Sequence, residues 1–87
     1  MGWVVYVLRC RTGELYTGAT NDLERRIREH TSGSGGKFTR SRLPVTLVYK
    51  EAVADRSAAL KRENEIKAMS RREKLALTRQ AATAATE

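Results

Sequence analysis

The sequence predicts an α/β fold: a small three-stranded, mainly antiparallel sheet flanked by helices, in the order β-β-α-β-α-α. Three observations carry this. Two β-branched and aromatic runs flank a short turn near the N-terminus. Side chains suited to helix capping stand before three amphipathic stretches. A third β-branched run follows the chain's one proline and separates the first helical stretch from the other two.

Residues 3–9, Trp-Val-Val-Tyr-Val-Leu-Arg, have the content of a strand, and Arg11-Thr-Gly-Glu14 supplies a turn. Leu15 to Thr20 is a second short strand, so 3–20 reads as a hairpin. Asn21 is expected to cap the first helix, with Glu24 completing a near capping box. That helix runs to about Thr31, with Leu23 and Ile27 facing inward. Residues 31–44, "TSGSGGKFTRSRLP", form a Gly/Ser-rich loop of a length that is functional or mobile in so small a domain. Val45–Lys50 is the third strand. Asp55 caps a second helix through about Met69. Ser70-Arg-Arg-Glu73 is a capping box opening a third, which fades near Gln80. The expected domain is 1–79, with a flexible tail over 80–87 of small, low-complexity residues.

Eighty-seven residues with 40% hydrophobic and 31% charged content suit one folded domain. Such a chain buries only about 60–65% of its unfolded surface, so its core is small. The single cysteine, Cys10, has no internal partner, and no Cys/His cluster recruits it to a metal. No apolar run approaches the roughly 20 residues of a membrane span. The expectation is a cytoplasmic protein with no membrane partner.

Charge points to a partner. Seventeen Lys and Arg against ten Asp and Glu leave +7. The excess is concentrated: residues 21–42 hold six bases and three acids, and 56–79 hold eight bases and three acids. A field of this sign attracts polyanions, although a basic surface kept for solubility has the same composition. Lys37, Arg40 and Arg42 in the loop, with Arg71, Arg72 and Lys74 at the third helix, are the candidate contacts to a nucleic-acid backbone.

Helical angle isolates one carboxylate. At about 100° per residue, Glu63 shares a stripe with Ala59 and Ile66, with Leu60 on its flank, whereas Glu65 points to solvent. A carboxylate on a buried side needs a partner, either an arginine or a metal ion. On the first helix Arg26 and His30 are four apart and stack beside the apolar stripe. Each has an ordinary reading as a solvated charge or a packing residue. Tyr6 and Tyr16 lie on the paired strands; they either pack or converge with their hydroxyls on the end of the first helix.

Taken together, these positions resemble the GIY-YIG nuclease superfamily, and most closely its small stand-alone bacterial branch. Val4-Val5-Tyr6 stands where the family writes Gly-Ile-Tyr, and Tyr16-Thr17-Gly18 where it writes Tyr-Ile-Gly. Arg26 and His30 follow Tyr16 at the family's spacing, and residues 57–67, "SAALKRENEIK", resemble the helix of its metal-binding glutamate, which falls on Glu63. The resemblance covers roughly residues 2–78. It departs at Val4, Val5 and Thr17, and at Ala19, where some relatives carry lysine.

The resemblance implies a metal-dependent endonuclease that hydrolyses phosphodiester bonds. DNA is the expected substrate ahead of RNA, with DNA repair as the setting. Tyr6, Tyr16, Arg26, His30 and Glu63 would be the catalytic set, Tyr6 the general base, and Glu63 the ligand of one Mg²⁺ or Mn²⁺ ion. A reference pKa favours His30 over a phenol as base at neutral pH. No base-reading helix is evident, so the structure of the DNA is the expected target. The alternative is a nucleic-acid-binding or accessory module that cuts little.

Overall fold

Strand β1 (Trp3–Cys10) takes the centre of the sheet because it is the chain's most apolar run. Strand β2 (Leu15–Thr20) pairs with one edge and β3 (Val45–Val53) with the other, both antiparallel. Helices α1 (Leu23–Thr31), α2 (Lys37–Arg40), α3 (Arg56–Lys67) and α4 (Arg71–Ala85) complete the order. The computed structural model describes residues 2–85, with side chains through residue 79. The expected flexible tail over 80–87 falls outside the fully described residues.

Both faces of β1 are covered, which is why its apolar residues run consecutively instead of alternating. Val5, Tyr6, Val7 and Leu8 are all buried. Val5 and Val7 face α3 and α4, packing with Ala59, Ile66, Met69 and Leu77. Tyr6 and Leu8 project to the other face, toward α1 and α2. The hairpin register pairs Tyr6 with Gly18, Leu8 with Tyr16 and Val7 with Thr17. Directly paired residues share a face, so Tyr6, Gly18 and Tyr16 lie together.

The first two strands, the Asp55 cap and the Ser70–Glu73 box follow the expectation: Asp55 accepts from the Ala58 N–H at 2.8 Å, and Ser70 and Glu73 cap each other reciprocally. Strand β3 runs three residues past the expected Lys50 to Val53, α3 ends at Lys67 instead of about Met69, and α4 continues to Ala85 instead of fading near Gln80. Four further details differ. The cap of α1 is Asp22, which accepts from the Arg25 N–H; Asn21 is one residue too early because Thr20 Oγ1 already holds the Asp22 N–H. The glycine-rich loop contains the one-turn helix α2, too short for any periodic signal. Leu60 is 44% exposed, so the buried stripe of α3 is narrower than its angles allowed. On α1 the fully buried residue is His30, while Leu23 and Ile27 are half-buried.

Candidate active site

Tyr6 crosses the sheet on its way to the site. Its ring lies against Gly18 on the edge strand, where an added Cβ would stand 2.5 Å from Tyr6 Oη. Only glycine leaves room there, so the last residue of Tyr16-Thr17-Gly18 is a space for the phenol of the first motif. The hydroxyl reaches His30 Nε2 at 3.1 Å. Gly35 performs the same service for the imidazole: a Cβ there would meet His30 Nδ1 at 2.5 Å and Cα at 2.7 Å. The glycine-rich loop is thereby pressed onto α1.

Tyr16 completes an aromatic cluster, its ring 5.1 Å from His30 and 6.4 Å from Tyr6, in tilted and edge-on arrangements. Phe38 of α2 extends it outward at 5.8 Å from Tyr16. Arg26 closes the side of the cluster. Its guanidinium donates to the Gly35 carbonyl at 2.7 Å and to Glu29 at 3.0 Å, and its charge acts on Tyr6 and Tyr16. Tyr6, Tyr16, Arg26 and His30, placed on two strands and a helix, converge. The chain's only histidine is fully buried within this group.

Burial governs the electrostatics. It pushes the Tyr6 phenol up, with Tyr16 and Glu63 adding to the effect and Arg26 opposing it. It holds His30 below the ordinary imidazole range, and the neighbouring Arg26 charge acts in the same direction. His30 is therefore neutral at neutral pH. Burial would weaken the hold of Arg26 on its proton, but Tyr6 and Glu29 outweigh this and the guanidinium stays charged.

Glu63 lies on α3, which packs against β1 and β2. Its side chain is 16% exposed and its charge is felt at Tyr6. The required partner is neither of the two expected: Lys67, one turn on, places Nζ 2.8 Å from Glu63 Oε2. Among the described residues no group of three or more His, Cys, Asp or Glu is gathered. A divalent ion here would have one protein carboxylate and take its other oxygens from water and phosphate, a donor set that fits Mg²⁺ or Mn²⁺.

The basic residues divide into two kinds. Arg42 pairs with Glu14, donates to the Phe38 carbonyl at 2.9 Å and stacks 4.1 Å over the Phe38 ring, so it ties α2 to the hairpin turn. Arg71 donates to the Gly13 carbonyl at 3.2 Å and ties α4 to the same turn. Lys37, Arg40 and Arg72 are exposed and, like the half-buried Lys74, make no side-chain hydrogen bond or ion pair among the described residues. Lys74 and Arg71 line a cavity of about 210 Å³ with Glu14, Leu15 and Phe38. No helix among the described residues is long and apolar enough to cross a membrane.

Sequence reading missed Thr39, Gly35 and Phe38, which contact the cluster from the loop. Their one legible signal is the Gly35-Gly36 pair just before a short run, a mark of close backbone approach.

Known proteins resemble this chain over most of its length. The family description "GIY-YIG catalytic domain" matches residues 2–76. A UPF0213 protein of Staphylococcus saprophyticus is 51% identical over 73 residues, 84% of this chain and 89% of that protein. Another, of Haloquadratum walsbyi, is 54% identical over 70 residues, 80% and 79% of the two chains. Relatives thus extend to archaea, beyond the bacterial branch expected. The solution NMR structure of a UPF0213 protein from Bacillus halodurans is similar at TM-score 0.60 and 44% identity, covering 92% of this chain and 85% of that one. With the motif tyrosines on paired strands of a matching fold, and the match running through nearly all of the chain, this protein belongs to the GIY-YIG family, a family with a nuclease-type fold.

Proposed function

We propose that this protein is an endonuclease that hydrolyses phosphodiester bonds in DNA, choosing its substrate by structure and not by sequence. The observation that carries the reading is the convergence of Tyr6, Tyr16, Arg26 and His30 at one edge of the sheet, with Glu63 in electrostatic reach. Arg26 holds a non-bridging phosphate oxygen, where a guanidinium offers paired donors and a permanent charge. Tyr6 accepts a proton from the attacking water as its own proton passes to His30 Nε2. The water oxygen bonds to phosphorus, the P–O3′ bond breaks, and the imidazolium passes its proton back to Tyr6, which releases its own to the solvent that protonates the leaving O3′. A free phenolate would cost about 5 kcal/mol relative to neutral imidazole, from reference pKa values about 3.5 units apart. Passing both protons together avoids the free phenolate, and the imidazolium so formed, which burial and the Arg26 charge disfavour, readily gives its proton back. Tyr16 packs His30 and the Tyr6 ring in register for the transfer. Glu63 would hold the divalent ion, which when bound neutralises charge on the leaving oxygen.

The substrate class follows from the surface. Lys37, Arg40, Arg72 and Lys74 supply charge without a groove-reading helix, which suits backbone contacts on branched, flapped or nicked DNA. A binding-module reading has one observation in its favour: Lys67 already neutralises Glu63.

The test is cleavage of a labelled panel of branched and linear DNA with Mg²⁺, Mn²⁺ or EDTA, for the native chain, Glu63→Ala and Arg26→Ala. The nuclease reading expects metal-dependent cutting that each substitution lowers roughly a hundredfold or more, with DNA binding retained. Binding without cutting, or cutting indifferent to Glu63, would move the assignment to the binding module.

A further inference from the structure

Behind the tyrosine–histidine contact lies a third buried group. Thr39, on the one-turn helix α2, places Oγ1 2.8 Å from His30 Nδ1. Tyr6, His30 and Thr39 form one chain of hydrogen bonds, at 3.1 and 2.8 Å, and their exposures are 1%, 0% and 0%. With both ring nitrogens engaged and the ring inaccessible, the position of the single imidazole proton is decided by these two neighbours.

Three hydrogens are available for two bonds, so one end of the chain must spend its proton elsewhere. The neutral ring carries one proton, so one neighbour donates to it and the other accepts from it. Tyr6 is the favoured donor: the Arg26 guanidinium, itself only a donor, is a hydrogen-bond partner of the phenol oxygen and leaves the phenol proton directed to His30 Nε2. A threonine hydroxyl can accept as well as donate, so Thr39 Oγ1 takes the other role. The arrangement therefore runs from the Tyr6 hydroxyl to His30 Nε2, and from His30 Nδ1–H to Thr39 Oγ1. It is also the arrangement that leaves Nε2 free to receive the phenol proton.

We propose that Thr39 is a positioning residue that holds His30 in its Nδ1–H tautomer, with the Nε2 lone pair aimed at Tyr6. Free imidazole side chains favour the opposite tautomer, so the environment must select this one. When a proton moves from Tyr6 to Nε2, the Nδ1–H bond to Thr39 is kept and nothing has to rotate. Gly35, which no other residue could replace without striking the ring, holds His30 against α2 so that the threonine can reach it. The catalytic part of this inference rests on the nuclease reading above; the tautomer itself does not.

Because the chain has one histidine, the ¹⁵N-labelled protein reports it without assignment. Long-range ¹H–¹⁵N spectra of the native protein should show a protonated Nδ1 and an unprotonated Nε2. Thr39→Val, nearly isosteric and unable to accept, should shift the population toward Nε2–H by roughly five- to tenfold, the worth of one lost hydrogen bond. Thr39→Ser, which keeps the hydroxyl, should restore the native pattern, and far-UV circular dichroism checks that both variants fold. Cleavage should fall by a similar factor in the valine variant and recover with serine. Nε2–H as the native tautomer, or a valine spectrum like the native one, would overturn the proposal. A native protein with the expected tautomer and the expected valine shift but no cleavage of any DNA would uphold the role of Thr39 and refute the nuclease reading instead.

Discussion

Gly18→Ala is the substitution whose consequence the structure specifies most tightly. The new methyl would stand 2.5 Å from Tyr6 Oη, 2.6 Å from Cζ and 3.0 Å from Cε1. Ordinary contact begins at 3.4 Å, so the ring or the strand must give way by roughly 0.9 Å. Neither has an easy path: the ring is 1% exposed, its hydroxyl meets His30, and β2 is held in register by β1. Overpacking of this kind costs about 1–3 kcal/mol. A stretched Tyr6–His30 bond adds about 1 kcal/mol. The expected loss is about 2–4 kcal/mol, a large share of the roughly 4–13 kcal/mol that a domain of this size has in total. Urea unfolding of the native and variant chains measures it as a lowered midpoint at unchanged slope. Gly2→Ala is the control, since its Cβ would meet only the Val53 carbonyl at 4.0 Å, and should stay within about 0.5 kcal/mol of native. Gly18→Ala within the same 0.5 kcal/mol would refute the claim that this glycine exists to admit the phenol.

Thr17→Val should stabilise the fold by about 1–2 kcal/mol in the same unfolding assay, because Thr17 Oγ1 is buried with no partner among the described residues. Stability should be flat from pH 6.5, the ordinary histidine value, to about pH 8, below the range where the buried thiol and phenols titrate, and fall as pH drops below 6.5, since burial depresses the folded pKa of His30 and the unfolded chain takes up the proton first. The carboxylates of Glu14, Glu29 and Glu73, held below their ordinary 4.5, act only at lower pH, so His30→Gln should flatten the curve between pH 6.5 and 5. Lys67→Met should tighten Mn²⁺ binding up to about fivefold by water-proton relaxation, since the ion no longer competes with a partly exposed ammonium. Replacing Lys37, Arg40, Arg72 and Lys74 by alanine should lower the salt slope of DNA binding by about 3–4 with stability unchanged. Arg42→Ala, by contrast, should destabilise the protein by about 1–2 kcal/mol through loss of Glu14 and the Phe38 stack.

Most of the fold was legible because it depends on local codes. Strand content, the Asp55 cap, the Ser70–Glu73 box and the turn before Leu15 act over a few residues, and each produced its element. The miss at Asn21 has a local cause too, since two adjacent residues can both cap and the hydrogen bond from Thr20 decides between them. Helix α2 was invisible because four residues hold no period, and it is kept by Arg42, Phe38 and the glycine pair instead of by its own propensity.

Sequence by itself determined which residues make up the candidate site: two tyrosines, an arginine, a histidine and a glutamate at a recognisable spacing, on elements whose types and order it also specifies. Only the tertiary structure decided how they meet. The hairpin register sets Tyr6 over Gly18, the bend of the loop brings Thr39 and Gly35 against His30, and the packing of α3 on β1 and β2 brings the Glu63 charge to bear on Tyr6. Those contacts join residues far apart in the chain, and their energies come from shape and burial. No local pattern of letters encodes a distance across a sheet.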